Sequence, residues 1–282
     1  MAVRVVTDST ADLSKDQARA LGISVVPLTV QFGEEVYRDG VDLESAEFFS
    51  KLATTKVMPT TAAPAPGLFE ETYRQLIREG ADGILSIQLS SKLSATYSSA
   101  VQGAEPLKDQ SVPIEVVDSR SVSGGIGIPV MAAARAAREG KSLAECKTIA
   151  EDMLARMNIY AVLDTLEFLQ RGGRIGRASL LLGTLLNFKP LLTVKDGEVL
   201  PLEKPRTRSK AHERIAQLLE KLGPIEIVGI AQSDEEIGQQ LTTAIRAVYT
   251  GPIEHFRLGP VVGTHTGPGT AAVCAVTQRA AS

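Results

Sequence analysis

The chain has 282 residues, of which 44% are hydrophobic and only 4% aromatic, and its formal net charge is −3. That length suits one large or two medium domains with room for an apolar pocket, and the weak negative charge with few aromatics argues against a nucleic-acid partner. Cys146 and Cys274 lack CxxC spacing, no apolar run nears the ~18 residues of a membrane span, and Met1–Val6 reads as a strand rather than a signal peptide, so a cytoplasmic protein without disulfides or zinc is expected.

In chain order, Val3–Val6 is a β-branched strand ending in Thr7-Asp8-Ser9-Thr10. Ser14–Leu21 reads as a helix closed by Gly22. Ile23–Val26 and Thr29–Phe32 are strand-like, with Gly33-Glu34 as a hairpin tip. Helices are predicted over Leu43–Leu52 and Leu68–Arg78, joined by a stiff proline-rich loop from Met58 to Gly67. Strand Ile84–Leu89 runs through Ser90–Ser94 into a helix, and strand Ile114–Val117 ends in Asp118-Ser119. Helices Ile126–Glu139 and Leu143–Met157 follow.

The texture changes after Ile159–Leu163, which places a boundary near residues 157–163 and gives units 1–158 and 159–282. Leu191–Val194 and Val199–Leu202 flank an Asp196-Gly197 hairpin turn. Helix Ser209–Leu222, strand Ile225–Ile230, helix Asp234–Tyr249 and strands Ile253–Phe256 and Ala271–Val276 complete the chain. Alternating strands and helices predict an α/β fold, with a parallel sheet whose ligands gather at the carboxyl ends of its strands.

Four segments could carry chemistry. Leu89–Tyr97 brings serines to a helix start, where free N–H groups favour an anion, although taken alone Ser91 or Ser94 reads first as an N-cap. Thr60-Thr61 precede Pro64 and Pro66, which can fix a hydroxyl in place. Gly263–Thr270 sets His265 in a glycine-rich turn, without the HxH or HxxxH spacing of a metal site. Gln170–Arg177 is an arginine- and glycine-rich loop suited to phosphate but is neither a Walker A loop nor a dinucleotide fingerprint. Residues 171–210 hold nine basic and three acidic residues, a local +6 that leaves −9 elsewhere and suits a docking or phosphate-facing surface. No nucleophile elbow or Ser/His/acid triad is evident, which favours a binding protein over an enzyme.

In their order along the chain, Val5–Leu13, Ser90–Tyr97, Val117–Ser119, Leu169–Ile175, Leu186–Pro190, Lys204–Arg208 and Gly263–Thr270 resemble the DegV family of lipid-binding proteins. The resemblance implies two α/β domains, the first Rossmann-like with a parallel sheet, the second with a mixed or antiparallel sheet flanked by helices. It also implies a non-catalytic chain with no cofactor. Such a chain buries a long-chain, palmitate-like fatty acid and presents its carboxylate to an ATP-dependent fatty-acid kinase subunit, touching a membrane surface at most transiently. Residues matching the family's head-group ligands are Thr61, Ser94 and His265; Thr60, Ser91, Arg171 and Arg206 are secondary candidates near the head group or the partner surface. Ala62-Ala63 stand where the family commonly has Ser-Gln, and Ala95 where it has Gly. Competing expectations are a small-molecule phosphotransferase with its own nucleotide site and a lipid-responsive regulatory sensor.

Overall fold

The computed structural model describes residues 3–181 and 188–279. The first half runs β1 (Val3–Asp8), α1 (Lys15–Leu21), β2 (Ile23–Val26), β3 (Thr29–Phe32), β4 (Glu35–Arg38), α2 (Ser45–Thr54), β5 (Thr60–Ala62), α3 (Pro66–Arg78), β6 (Gly83–Gln88), α4 (Thr96–Ala104), β7 (Ile114–Asp118), α5 (Gly124–Arg138) and α6 (Leu143–Ala155). The second runs β8 (Met157–Val162), α7 (Glu167–Arg171), β9 (Leu191–Lys195), β10 (Glu198–Glu203), α8 (Arg208–Glu220), β11 (Ile225–Gln232), α9 (Glu235–Arg246), β12 (Ile253–Arg257), α10 (Pro260–Thr266) and β13 (Ala271–Thr277).

Local chemistry explains many of the boundaries. Ser14 and Gln17 form a reciprocal capping box that starts α1, and Gly22 ends it in the left-handed region. Ser142 and Glu145 start α6 the same way. Pro66 and Pro260 occupy the first positions of α3 and α10, where the missing N–H costs nothing.

Strands β2-β1-β6-β7 form a four-stranded parallel sheet. Strands β10-β9-β8-β13-β11-β12 form a mixed sheet, antiparallel except for the β11–β12 pair. A small antiparallel sheet, β4-β3-β5, stands apart from both. Apolar α5 lies between the two large sheets and touches β1, β11, β12 and β13. One core cluster therefore runs from Val5 and Ile87 through Ile128 to Phe256 and Cys274. No helix among the described residues is long and apolar enough to cross a membrane.

Three local expectations are corrected. Thr60–Ala62 is not loop but a third strand, because Thr29, Val30 and Gln31 of β3 pair with it. Gly263–Thr266 is not a turn but the end of α10, which Pro260 initiates. Gln170-Arg171 is the end of α7, and the chain turns at Gly172-Gly173. In the Leu186–Pro190 segment, Leu186 and Asn187 lie outside the described residues.

The carboxyl ends of the parallel strands are stitched together by buried Asp8, which accepts the Thr10 N–H at 2.9 Å and the Leu89 N–H at 2.7 Å. The loop after β6 also reaches the other half of the molecule: Ser90 Oγ donates to the Gly197 carbonyl at 2.8 Å, and Leu93 accepts from Arg174 Nε at 3.0 Å.

Candidate functional site

Thr61 is the middle residue of β5, opposite Val30. Side chains alternate along a strand, so Thr60 and Ala62 are exposed while Thr61 turns inward. His265 lies in the last turn of α10, where its Nε2 meets Thr61 Oγ1 at 2.9 Å. Ser94 ends the turn after β6; its Oγ shares a hydrogen bond with Thr96 Oγ1 at 2.8 Å and accepts the Thr96 N–H at 3.3 Å. Ala95, rather than Ser94, holds the N-cap position of α4.

These three side chains line one cavity of about 100 Å³. Its remaining wall is largely apolar, with Leu28, Leu89, Leu93, Leu169, Val261 and Val262 among the lining residues. Ala62 and Ala63 also line it, so the two positions that depart from the family pattern bear on the site. Ala95 stands at φ −75°, a conformation open to any residue, so its methyl group strains nothing.

Burial, reinforced by the nearby Arg174 charge, pushes the His265 pKa down to about 4, so the imidazole is neutral at pH 7. Its Nδ1 is buried without a hydrogen-bond partner among the described residues. A buried N–H left unpaired is less tolerable than a bare lone pair, so the favoured tautomer carries its proton on Nε2 and donates it to Thr61 Oγ1. The Thr61 hydroxyl hydrogen is then free to donate elsewhere. The ring fits because residue 172 is glycine: a β-carbon there would stand 2.1 Å from His265 Nδ1.

Arg174, which the sequence reading did not single out, also lines the cavity. Its Nε and Nη1 donate to the carbonyls of Leu93 and Gly172 at 3.0 and 2.8 Å. Among the described residues its charge meets no carboxylate, which suits an anionic ligand. The Gly172-Gly173 turn after α7 was the available signal, since it carries Arg174 away from the helix on which Arg171 sits.

The secondary candidates lie outside this cavity. Thr60 is exposed on the opposite face of β5. Ser91 is exposed and donates from Oγ to Asp118 Oδ2 at 2.5 Å. Arg171 is exposed and pairs with Glu167 at 2.7 Å. Arg206 is exposed in the link between β10 and α8.

The arrangement offers two hydroxyl donors, a neutral imidazole and an uncompensated guanidinium at one end of an apolar cavity. That suits an anion on an aliphatic body. No group of three or more His, Cys, Asp or Glu that could hold a metal occurs among the described residues.

The DegV family model, described as an uncharacterised protein family, matches residues 2–278. A DegV domain-containing protein of Halalkalibacterium halodurans is 39% identical over 280 residues, covering 95% of this chain and 96% of that one. A solved structure described as fatty acid binding of a DegV family protein from Thermus thermophilus is 36% identical, with a TM-score of 0.92 over 99% of this chain and 100% of that one. The structure of DegV from Bacillus subtilis, described as a fatty acid binding protein, is 30% identical, with a TM-score of 0.88 over 99% and 100% of the two chains.

Proposed function

We propose that this chain, which belongs to the DegV family, binds one long-chain fatty acid with its tail in the apolar cavity and its carboxylate between Thr61, Ser94 and His265. The observation that carries this reading is the convergence of those three residues on one largely apolar cavity. The description of the Thermus thermophilus and Bacillus subtilis relatives as fatty-acid-binding supports it.

The energetics are adequate. Burying all of about fourteen methylenes of a palmitate-like tail, for which the cavity of about 100 Å³ has to widen, gives roughly 11 kcal/mol gross at ~0.8 kcal/mol each, most of it offset by widening, ordering and association. The head group then has only to avoid a desolvation penalty, which hydrogen bonds from Thr61 and Ser94 and the field of Arg174 supply.

The bound acid is presented to a partner kinase. A carboxylate oxygen attacks the γ-phosphorus of ATP held by that partner, forming an acyl phosphate and releasing ADP; the present chain supplies binding and no catalytic group. Arg174 is tethered to two backbone carbonyls, so hydroxyls rather than a bidentate clamp face the carboxylate and leave it nucleophilic. Thr61→Ala and Ser94→Ala test the reading through lipid binding and kinase-dependent phosphorylation. Both activities are expected to fall in each variant, and undiminished values in both would contradict it.

A further inference from the structure

Thr61 and Ser94 each bring one hydroxyl to the lipid cavity, and a hydroxyl has a single hydrogen to give. One that donates within the protein has nothing left for a carboxylate. The His265 N–H settles this for Thr61, whose oxygen accepts and whose hydrogen stays free. Ser94 has no histidine beside it. Its backbone is fixed by an N–H bond to the Ser90 carbonyl at 3.1 Å, and its side chain meets Thr96.

Thr96 is the first residue of α4; it is 0% exposed and is not a lining residue of the cavity. Its Oγ1 lies 2.8 Å from Ser94 Oγ, and it has no other hydrogen-bond partner among the described residues. Either oxygen could supply the hydrogen. If Ser94 donated, the Thr96 hydrogen would be buried without an acceptor, and an unsatisfied buried donor is the costlier defect. If Thr96 donates, its hydrogen is satisfied. Ser94 Oγ then receives two bonds, from the Thr96 hydroxyl at 2.8 Å and from the Thr96 N–H at 3.3 Å. Both Ser94 lone pairs are filled, and its own hydrogen is left for the cavity that half-buried Ser94 lines.

We propose that Thr96 is a positioning residue: its buried hydroxyl donates to Ser94 Oγ, which makes Ser94 a donor toward the head group and favours an ionised carboxylate over a neutral head group on the same tail. This rests on the fatty-acid reading of the cavity. Thr96 acts through Ser94, as His265 acts through Thr61.

The test is displacement of a fluorescent fatty acid by palmitate and by hexadecanamide, which carries a neutral head group on the same tail. Thr96→Val keeps the shape of the side chain and the backbone N–H but removes the hydroxyl. It is expected to weaken palmitate about fivefold and hexadecanamide by less than about twofold, and retained amide binding shows that the variant is folded. Thr96→Ser, which keeps the hydroxyl, is expected to hold the palmitate affinity of the unaltered chain. In a Ser94→Ala background, Thr96→Val is expected to change palmitate affinity by less than about twofold, because the group it acts through is gone. Unchanged palmitate affinity in Thr96→Val, equal weakening of acid and amide, or an undiminished loss in the Ser94→Ala background would each overturn the proposal while leaving the fatty-acid reading intact. An unaltered chain that binds no palmitate would overturn both.

Discussion

The imidazole of His265 meets the hydroxyl of Thr61 at 2.9 Å, joining residues 204 positions apart in the chain. One comes from a three-residue strand and the other from the last turn of a short helix. Neither element would be firm alone. The strand is held by β3, and the helix by Asp12 at its start and by contact with α2.

Thr61→Val keeps the shape of the side chain and removes its hydroxyl. It is expected to weaken fatty-acid binding by about 1.5–3 kcal/mol, the worth of a hydrogen bond to a charged group. Displacement of a fluorescent fatty acid gives the value. Binding equal to that of the unaltered chain would show that Thr61 does not touch the carboxylate.

Gly172→Ala places a methyl group against His265 Nδ1, a contact of 2.1 Å that the ring must yield to. Overpacking of this kind costs about 1–3 kcal/mol, so the denaturation midpoint is expected to fall. Fatty-acid affinity should drop with it, because the Thr61 contact is lost. A variant with full stability and full affinity would mean that the ring moves at no cost and that its position is immaterial.

Stability should carry a signature of neutral His265. Its pKa is about 4 when folded and 6.5 ordinarily. The folded value is depressed, so the contribution is complete above about pH 6.5 and is lost as pH falls toward 4. At ~1.4 kcal/mol per pKa unit this amounts to roughly 3 kcal/mol. His212 titrates in the same direction and Asp39 in the opposite one, so the useful quantity is the difference between lipid-free wild type and His265→Gln. That difference is expected to shift toward the variant as pH drops from 6.5 to 4, and a flat difference would place the His265 pKa near its ordinary value.

The parallel sheet was legible because β1, β6 and β7 are short β-branched runs, each followed by a helix. Strand β5 was hidden, since three residues flanked by prolines carry no period and only β3 makes them a strand. The cavity side of Ser94, and the inward turn of Thr61, were in reach of sequence through the family resemblance. Arg174 was not distinguished from Arg171, because two arginines three residues apart look alike until the Gly172-Gly173 turn separates them. The burial of Asp12 was invisible, since an acidic residue shows it only once α10 has packed over it.

Arg171→Glu and Arg206→Glu reverse charges on exposed positions outside the lipid cavity. If the basic stretch docks the kinase, each is expected to reduce acyl-phosphate formation several-fold at low salt and to flatten its salt dependence, with fatty-acid affinity unchanged. Loss of lipid binding in either variant would instead move these arginines into the head-group site. A coupled assay alongside direct lipid binding separates the two.

Native mass spectrometry of the purified chain, before and after incubation with a fatty-acid mixture and with extraction to identify what is bound, reads fatty-acid binding without an intermediary assay. One long-chain fatty acid per chain, displaced or diminished in Thr61→Ala and Ser94→Ala, is the expected result. A ligand-free mass that persists after incubation would contradict the account.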